Sequence, residues 1–141
     1  MLLSALSDKV VHQKLTSNGL RLAVPPFTVS ITSHLPIVQN GLRTLYADYE
    51  VCSDTDFIDF YMNLDTPGGL RRWIRPQVDF SFDGFNPFMP LPKDQAYALF
   101  EWSLNWCVAN HMHNYLIIHS GVVAKNGKGV ILPAPPGSGK S

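Results

Sequence analysis

Hydrophobic and polar residues alternate in several short stretches of the first hundred residues, which predicts β-strands. Residues 20–24 and 27–31 alternate in this way on either side of Pro25-Pro26, which should break them apart. Two further strands are expected at residues 57–64 and 78–82, followed by the turn signals Asp65-Thr66-Pro67-Gly68-Gly69 and Asp83-Gly84. We expect these strands to form an antiparallel meander that is interrupted by one helix.

Three other stretches have a helical pattern. Residues 4–14 predict a short amphipathic helix that ends at Ser17-Asn18-Gly19, and residues 35–46 predict a second helix. The second helix offers four apolar residues for burial: Ile37, Leu42, Leu45 and Tyr46. Residues 93–112 predict the longest helix, which is apolar in nearly every direction except for a stripe of Glu101 and Asn105. A helix of that kind is normally buried, so we expect Trp102 and Trp106 in the core.

The last part of the chain has the pattern of a β-hairpin. Residues 115–123 and 129–132 predict two strands, and Asn126-Gly127 between them predicts a tight turn. The prediction for the whole chain is a single α+β domain over residues 1–141, with antiparallel strands packed on the long buried helix. Residues 1–114 form its α+β region, and residues 115–141 form the hairpin and the segment that follows it.

Composition narrows the class of protein. The chain has 141 residues, of which 45% are hydrophobic and 16% charged, which argues against a disordered chain. Eleven Lys and Arg balance eleven Asp and Glu, which argues against a general binder of nucleic acid or membrane surfaces. Two cysteines fit a reducing compartment, and neither a signal peptide nor a transmembrane helix is apparent. We therefore expect a cytoplasmic protein.

The final eight residues, Ala134–Ser141, match the Walker A phosphate-binding loop, with Ala in place of the first Gly. An apolar strand leads directly into the loop, which is the structural context that this motif requires. The backbone N–H groups of Gly137, Ser138 and Gly139 would surround the phosphates of a nucleotide. Lys140 would neutralise the phosphate charge, and the hydroxyl of Ser141 would bind Mg²⁺. The motif predicts ATP and Mg²⁺ as cofactors.

The carboxylates that phosphoryl transfer needs are missing from this end of the sequence. No Asp or Glu follows Glu101, whereas such reactions use one carboxylate for the metal and usually another for the nucleophile. We therefore expect the chain to be the N-terminal part of a nucleotide-dependent enzyme that is inactive by itself.

The sequence around this loop resembles the core of bacterial HPr kinase/phosphorylase. The resemblance is carried by His119-Ser120-Gly121-Val122-Val123, by Gly129-Val130-Ile131-Leu132 and by the loop, with fifteen positions between His119 and Ala134. Three upstream blocks, at residues 44–49, 69–77 and 101–107, are similar to the branch called HPr kinase-related kinase A.

This resemblance implies an ATP- and Mg²⁺-dependent serine kinase with a fold akin to phosphoenolpyruvate carboxykinase. It implies that His119 is an auxiliary catalytic group near the γ-phosphate and that Lys140 is catalytic as well. The phosphoacceptor would be a small protein, either HPr-like or encoded in a peptide-modification gene cluster, and a homo-oligomer is possible. The loop departs from the family by having Ala-Pro-Pro at its start.

Two other functions share the same motif. A P-loop ATPase or GTPase of another lineage would hydrolyse nucleotide without a protein acceptor. A non-catalytic binding module would carry the loop only as a vestige.

Three other groups of residues are candidate binding sites with weaker support from the sequence. Cys107, His111 and His113 could contribute to a zinc site, but a fourth ligand and a Cys-x-x-Cys motif are missing. Arg71-Arg72-Trp73-Ile74-Arg75 resembles a single-strand nucleic-acid patch, yet one such cluster in a neutral chain is more often a packed, solvated loop. A surface for another subunit or the protein substrate is the second interpretation, ahead of nucleic acid. The acidic residues from Asp48 to Asp59 lack the Gly and closing Glu of a calcium loop, so we interpret them as a solvated turn and strand face.

Overall fold

The computed structural model describes residues 1–69, 74–118 and 120–135. It is an α+β structure that divides into two compact units, Met1–Cys107 and Val108–Ser141. The described helices are α1 (Asp8–Thr16), α2 (Pro36–Leu45) and α3 (Ala96–His111). The first unit contains the strands β1 (Leu20–Val24), β2 (Phe27–Thr32), β3 (Phe60–Asp65), β4 (Gln77–Phe82) and β5 (Leu91–Pro92). The second contains β6 (Ser120–Lys125) and β7 (Lys128–Pro133). Within the described ranges, no helix is long and apolar enough to cross a bilayer.

The first helix begins later than predicted and ends where expected. The hydroxyl of Ser7 accepts a hydrogen bond from the amide of Val10 and caps α1, so residues 4–6 are not part of it. At the other end, Gly19 adopts a φ of 90° and its amide donates to the carbonyl of Lys14. This left-handed conformation, which glycine adopts without strain, ends the helix and starts β1.

The five-stranded sheet of the first unit has the order β1-β2-β3-β4-β5. The prediction that all its strands are antiparallel is wrong for one pair, because β2 and β3 run parallel with Ser30 opposite Tyr61 and Thr32 opposite Asn63. A parallel pair needs a long crossover, and residues 33–59, which include α2, provide one. The sheet is therefore mixed, and the carboxyl ends of β2 and β3 lie at the same edge.

Buried apolar residues come from alternate positions of the strands and from one side of each helix. Those on the strands include Leu20, Leu22, Val29, Ile31, Phe60, Met62, Leu64, Val78 and Phe80. Those on the helices include Val11, Leu15, Val38, Leu42, Leu99, Phe100, Leu104 and Cys107. The segment from Phe57 to Asp59 was expected to belong to β3 but precedes it, and Phe57 is 80% exposed.

The sequence predicted that the longest helix would be buried on all sides. This prediction is wrong, because one side of the helix is exposed. A 3₁₀ turn at Lys93–Gln95 precedes α3, and the buried residues of α3 occupy one side of it. The Trp102 side chain is 53% exposed and stacks on Phe88 with ring centroids 4.4 Å apart. Trp106 is half-buried and contacts the rings of Phe80, Phe82 and Phe88. The proline-rich segment before α3 therefore covers the side of the helix that was expected in the core.

Glu101, predicted to lie on the polar stripe of this helix, connects α3 to α2. Its two carboxylate oxygens accept hydrogen bonds from the hydroxyls of Tyr46 at 3.1 Å and Tyr97 at 2.5 Å. Burial raises the pKa of both tyrosines above their ordinary value, and the neighbouring Glu101 carboxylate raises it further. Gly41 lies against the Tyr97 ring, where a side chain would have no room. Glu101 thus makes a structural contact between α3 and the end of α2, whereas Asn105 is exposed and bonds within α3.

Candidate functional site

The hairpin that leads to the phosphate-loop motif has the predicted turn. Strands β6 and β7 pair antiparallel from Ser120 opposite Pro133 to Lys125 opposite Lys128. Asn126 and Gly127 connect them with φ angles of 52° and 72°. Two successive positive φ angles are those of a type I′ turn, for which Asn-Gly is a preferred sequence. Strand β6 begins at Ser120, and residues 115–118 form no strand, so the first half of the predicted strand is wrong.

Only the first residue of the predicted phosphate site is among the described residues. Ala134 follows β7 directly and is partly exposed. The other predicted members of the site lie outside the described residues: His119, Gly137, Ser138, Gly139, Lys140 and Ser141. The structure therefore describes the strand that precedes the motif, and the assignment of phosphate and Mg²⁺ ligands stays a prediction.

The hairpin carries apolar side chains on both of its faces. Val123 lies opposite Val130 on one face, and Val122 lies opposite Ile131 on the other. These four side chains are between 51% and 64% exposed. Strands that are apolar on both faces are typical of sheets that have a covering layer on each side.

A second cluster of polar residues, which sequence analysis missed, lies on β2 and β3. The Nδ1–H of His34 donates a hydrogen bond to Oδ2 of Asp65 at 2.5 Å, and the other oxygen of Asp65 accepts from the amide of Thr66. The imidazole is 64% exposed, so a carboxylate orients a histidine that solvent reaches.

The same face continues along the two strands as a polar ladder. The side-chain amide of Asn63 donates to the hydroxyl of Thr32 at 2.9 Å, one row before His34 and Asp65. Ser30 and Tyr61 form the next row, and Ser81 of β4 lies opposite Asn63. Asp79, opposite Asp65, has a pKa raised above the ordinary value by partial burial. These residues come from three strands, so no contiguous sequence motif identifies the cluster.

Searches against protein families, curated proteins and solved structures find no match to this chain. Its function must be argued from its own residues.

The residues considered for metals and nucleic acid are placed as follows. Among the described residues, no three His, Cys, Asp or Glu side chains form a group that could hold a metal ion. Cys107 is buried, and its burial raises the pKa of the thiol to about 12. Most of the basic-aromatic cluster, Arg71-Arg72-Trp73, lies outside the described residues.

Two carboxylates of the acidic stretch hold the backbone in place. Asp56 accepts a hydrogen bond from the amide of Ser53, and Asp59 accepts from both the amide and the hydroxyl of Thr28. Asp59 thereby fixes the start of β2. These contacts give both residues structural roles.

Proposed function

We propose that this chain contributes the nucleotide-phosphate loop of an ATP- and Mg²⁺-dependent protein kinase similar to HPr kinase. The observation that carries the proposal is the order of elements: strand β7 runs to Pro133, and the Walker A octet begins at the next residue, Ala134. In this motif a buried strand delivers the chain to a loop of backbone donors, and a lysine follows within the loop. Strand β7 is an apolar strand that leads to the octet, although its side chains are exposed among the described residues.

The apolar pattern of the hairpin gives additional support. A strand that carries a phosphate loop normally lies within a layered sheet and is covered on both faces, and both faces of β6 and β7 are apolar. None of the residues from Gly137 onward is proline, so each has a backbone N–H group that can donate a hydrogen bond. The proposed roles remain those stated above: Gly137, Ser138 and Gly139 donate N–H groups, Lys140 binds phosphate oxygens, and Ser141 binds Mg²⁺.

Nucleotide binding by the whole chain tests this proposal most directly. We expect a fluorescent ATP analogue to bind in a Mg²⁺-dependent manner. We also expect Lys140→Ala to weaken binding about tenfold or more, because it removes a charged phosphate contact. Lys128→Ala is the matched control, since it removes an equal charge next to the hairpin turn and should leave affinity unchanged. Equal effects of the two variants, or no Mg²⁺-dependent binding, would exclude the phosphate-loop assignment.

Phosphoryl transfer separates the kinase from its closest rival. We expect ATP labelled at the γ-phosphate to label a small protein in extracts to which the complete enzyme is added. Release of free phosphate without a labelled protein would instead assign the loop to an ATPase or GTPase.

A further inference from the structure

The exposed side of α3 carries no charged side chain over most of its length. Within residues 96–107 the only charged residue is Glu101, and its carboxylate is occupied by the two tyrosine hydroxyls described above. The exposed positions of this stretch are Ala98, Trp102 and Asn105. A helix side that meets only water normally carries charged residues, whereas a tryptophan on an uncharged surface is typical of protein–protein interfaces.

The apolar surface around Trp102 continues onto the segment that precedes α3. The indole is 53% exposed and stacks on the ring of Phe88. In the same segment, Phe85 is 64% exposed and Met89 is 85% exposed. The stacking orients the indole, so little side-chain entropy remains to be lost when a partner binds. We call this surface the α3 patch, and its exposed members are Phe85, Met89, Ala98, Trp102 and Asn105.

The α3 patch is complementary to itself in hydrogen bonding. Among the described residues, the indole N–H of Trp102 makes no hydrogen bond. The side-chain amide of Asn105 donates to the backbone carbonyl of Glu101 at 2.9 Å, which leaves its side-chain oxygen as an acceptor. The donor and the acceptor are three positions apart and therefore lie on the same side of the helix. Two antiparallel copies of α3, related by a two-fold axis between these residues, place Trp102 of each copy opposite Asn105 of the other.

The charges of the α3 patch also favour a second copy of this chain as its partner. A two-fold interface brings a surface against itself, so a charge at its centre would meet a like charge. The centre of the α3 patch is uncharged. Its rim, at the 3₁₀ turn before α3, carries the exposed residues Lys93 and Asp94, whose charges are opposite. The patch thus has no net charge that would select an acidic or a basic partner.

The exposed area is sufficient for a weak dimer. Aromatic side chains bury about 150–250 Å² each, so the exposed parts of Phe85, Met89 and Trp102 amount to on the order of 400 Å² per copy. With the surface next to them, two copies would bury about 1,000 Å², which is near the lower limit of a specific interface. We propose that the α3 patch is the interface of a symmetric homodimer, in which α3 packs antiparallel against α3 of a second copy.

Two variants of the α3 patch test this proposal. Trp102→Ala removes the aromatic anchor, and we expect it to raise the dissociation constant of the dimer about tenfold or more. Ala98→Glu places a carboxylate in the patch of both copies and should raise the constant by a similar factor. Ala98 is exposed and glutamate is a good helix former, so this variant should fold even if Trp102→Ala does not.

Two control variants lie elsewhere on the chain. Gln13→Glu adds the same carboxylate to an exposed position of α1 and should leave the dimer unchanged. Val122→Lys puts a charge on the hairpin, where Val122 is 64% exposed, and should leave the dimer unchanged as well. The second control separates the α3 patch from the other exposed apolar surface of the chain.

Sedimentation velocity of the full chain between about 1 µM and 1 mM measures the equilibrium. We expect a monomer and a dimer that exchange in this range, and circular dichroism checks that each variant is folded. The proposal is overturned if the chain stays monomeric, if it forms species larger than a dimer, or if folded Ala98→Glu dimerises as the original chain does. It is also overturned if Val122→Lys abolishes the dimer, which would assign the interface to the hairpin. All members of the α3 patch belong to the first unit, so Lys140→Ala should leave the dimer unchanged whatever its effect on nucleotide binding.

Discussion

The five-stranded sheet and the terminal hairpin are both built from short apolar strands, but they differ in how their side chains are covered. In the sheet, buried residues such as Leu22 and Ile31 alternate with polar ones such as Arg21 and Ser30. In the hairpin, apolar residues occupy both faces, and their side chains are about half exposed or more. The sheet thus has one apolar and one polar face, whereas the hairpin has the composition of strands that lie between two layers.

This difference shows that the apolar composition of a strand and its burial are separate properties. A two-stranded hairpin gains little stability in water unless a layer packs on it. The first unit provides such layers for its own sheet through its helices. Among the described residues, no comparable layer covers the hairpin side chains. They should therefore contribute less to the free energy of unfolding than the buried side chains of the sheet.

The largest difference between the two regions in the free energy of unfolding should appear when one isoleucine in each is shortened to alanine. Ile31 is fully buried on β2, and Ile131 is 51% exposed on β7. We expect Ile31→Ala to lower the free energy of unfolding by about 2–5 kcal/mol, because it leaves a cavity in the core. Ile131→Ala should change it by about 0.5 kcal/mol or less. Urea unfolding followed by circular dichroism measures both, and similar losses would contradict the distinction between the regions.

A smaller effect should come from adding a methyl group to one glycine in each region. At Gly41 of α2, a Cβ would lie 2.0 Å from Cδ2 of Tyr97, whose hydroxyl is bound to Glu101. At Gly129 of β7, the nearest atom would be 3.9 Å away, which is an ordinary contact. We expect Gly41→Ala to destabilise by about 1–3 kcal/mol through overpacking, despite the better helix propensity of alanine.

The matched variant Gly129→Ala should be neutral or slightly stabilising, since alanine restricts the unfolded chain. Thermal unfolding of the two variants measures the contrast. A Gly41→Ala chain that melts at or above the original temperature would show that Tyr97 moves away at no cost.

The smallest effect should appear as a dependence of stability on alkaline pH. Burial and Glu101 raise the folded-state pKa of Tyr46 and Tyr97, whereas in the unfolded chain both titrate near their ordinary pKa of about 10. Below that pH their contribution to stability is complete. Above it the unfolded state loses protons first, so stability should fall as the pH rises.

Glu101→Gln tests the origin of this dependence. It removes the charge that opposes tyrosine ionisation and should flatten the decline above pH 10, although burial leaves part of it. Urea unfolding at several alkaline pH values gives the slope for both chains. An unchanged slope in the variant would assign the whole shift to burial.

Most helices and strands could be predicted from the sequence, but few of the contacts between them could. The strands at 20–24 and 27–31, the second helix and the Asn126-Gly127 turn were predicted from local patterns and are confirmed. The exposed side of α3 was missed, because periodicity shows which residues are apolar and not which of them another segment covers. The parallel pairing of β2 with β3 was missed because α2 and its loops separate the two strands.

The two candidate sites differ in the same way. The proposed phosphate loop is a contiguous motif, so its residues, from Ala134 to Ser141, can be proposed without a structure. The polar ladder joins residues 31 positions apart, such as His34 with Asp65 and Asn63 with Thr32. No local signal marks those residues, and only a prediction of parallel register could have brought them together.

The sequence by itself determined the turns at Gly19 and at Asn126-Gly127 and the order of elements, because glycine and proline act on the backbone next to them. The tertiary structure alone decided which residues meet: the ladder of β2 and β3, and the contact of Tyr46 with Glu101 across 55 positions. Such contacts depend on how strands pair and how helices cover them. Those choices follow from the burial of the whole apolar surface, to which distant parts of the chain contribute together.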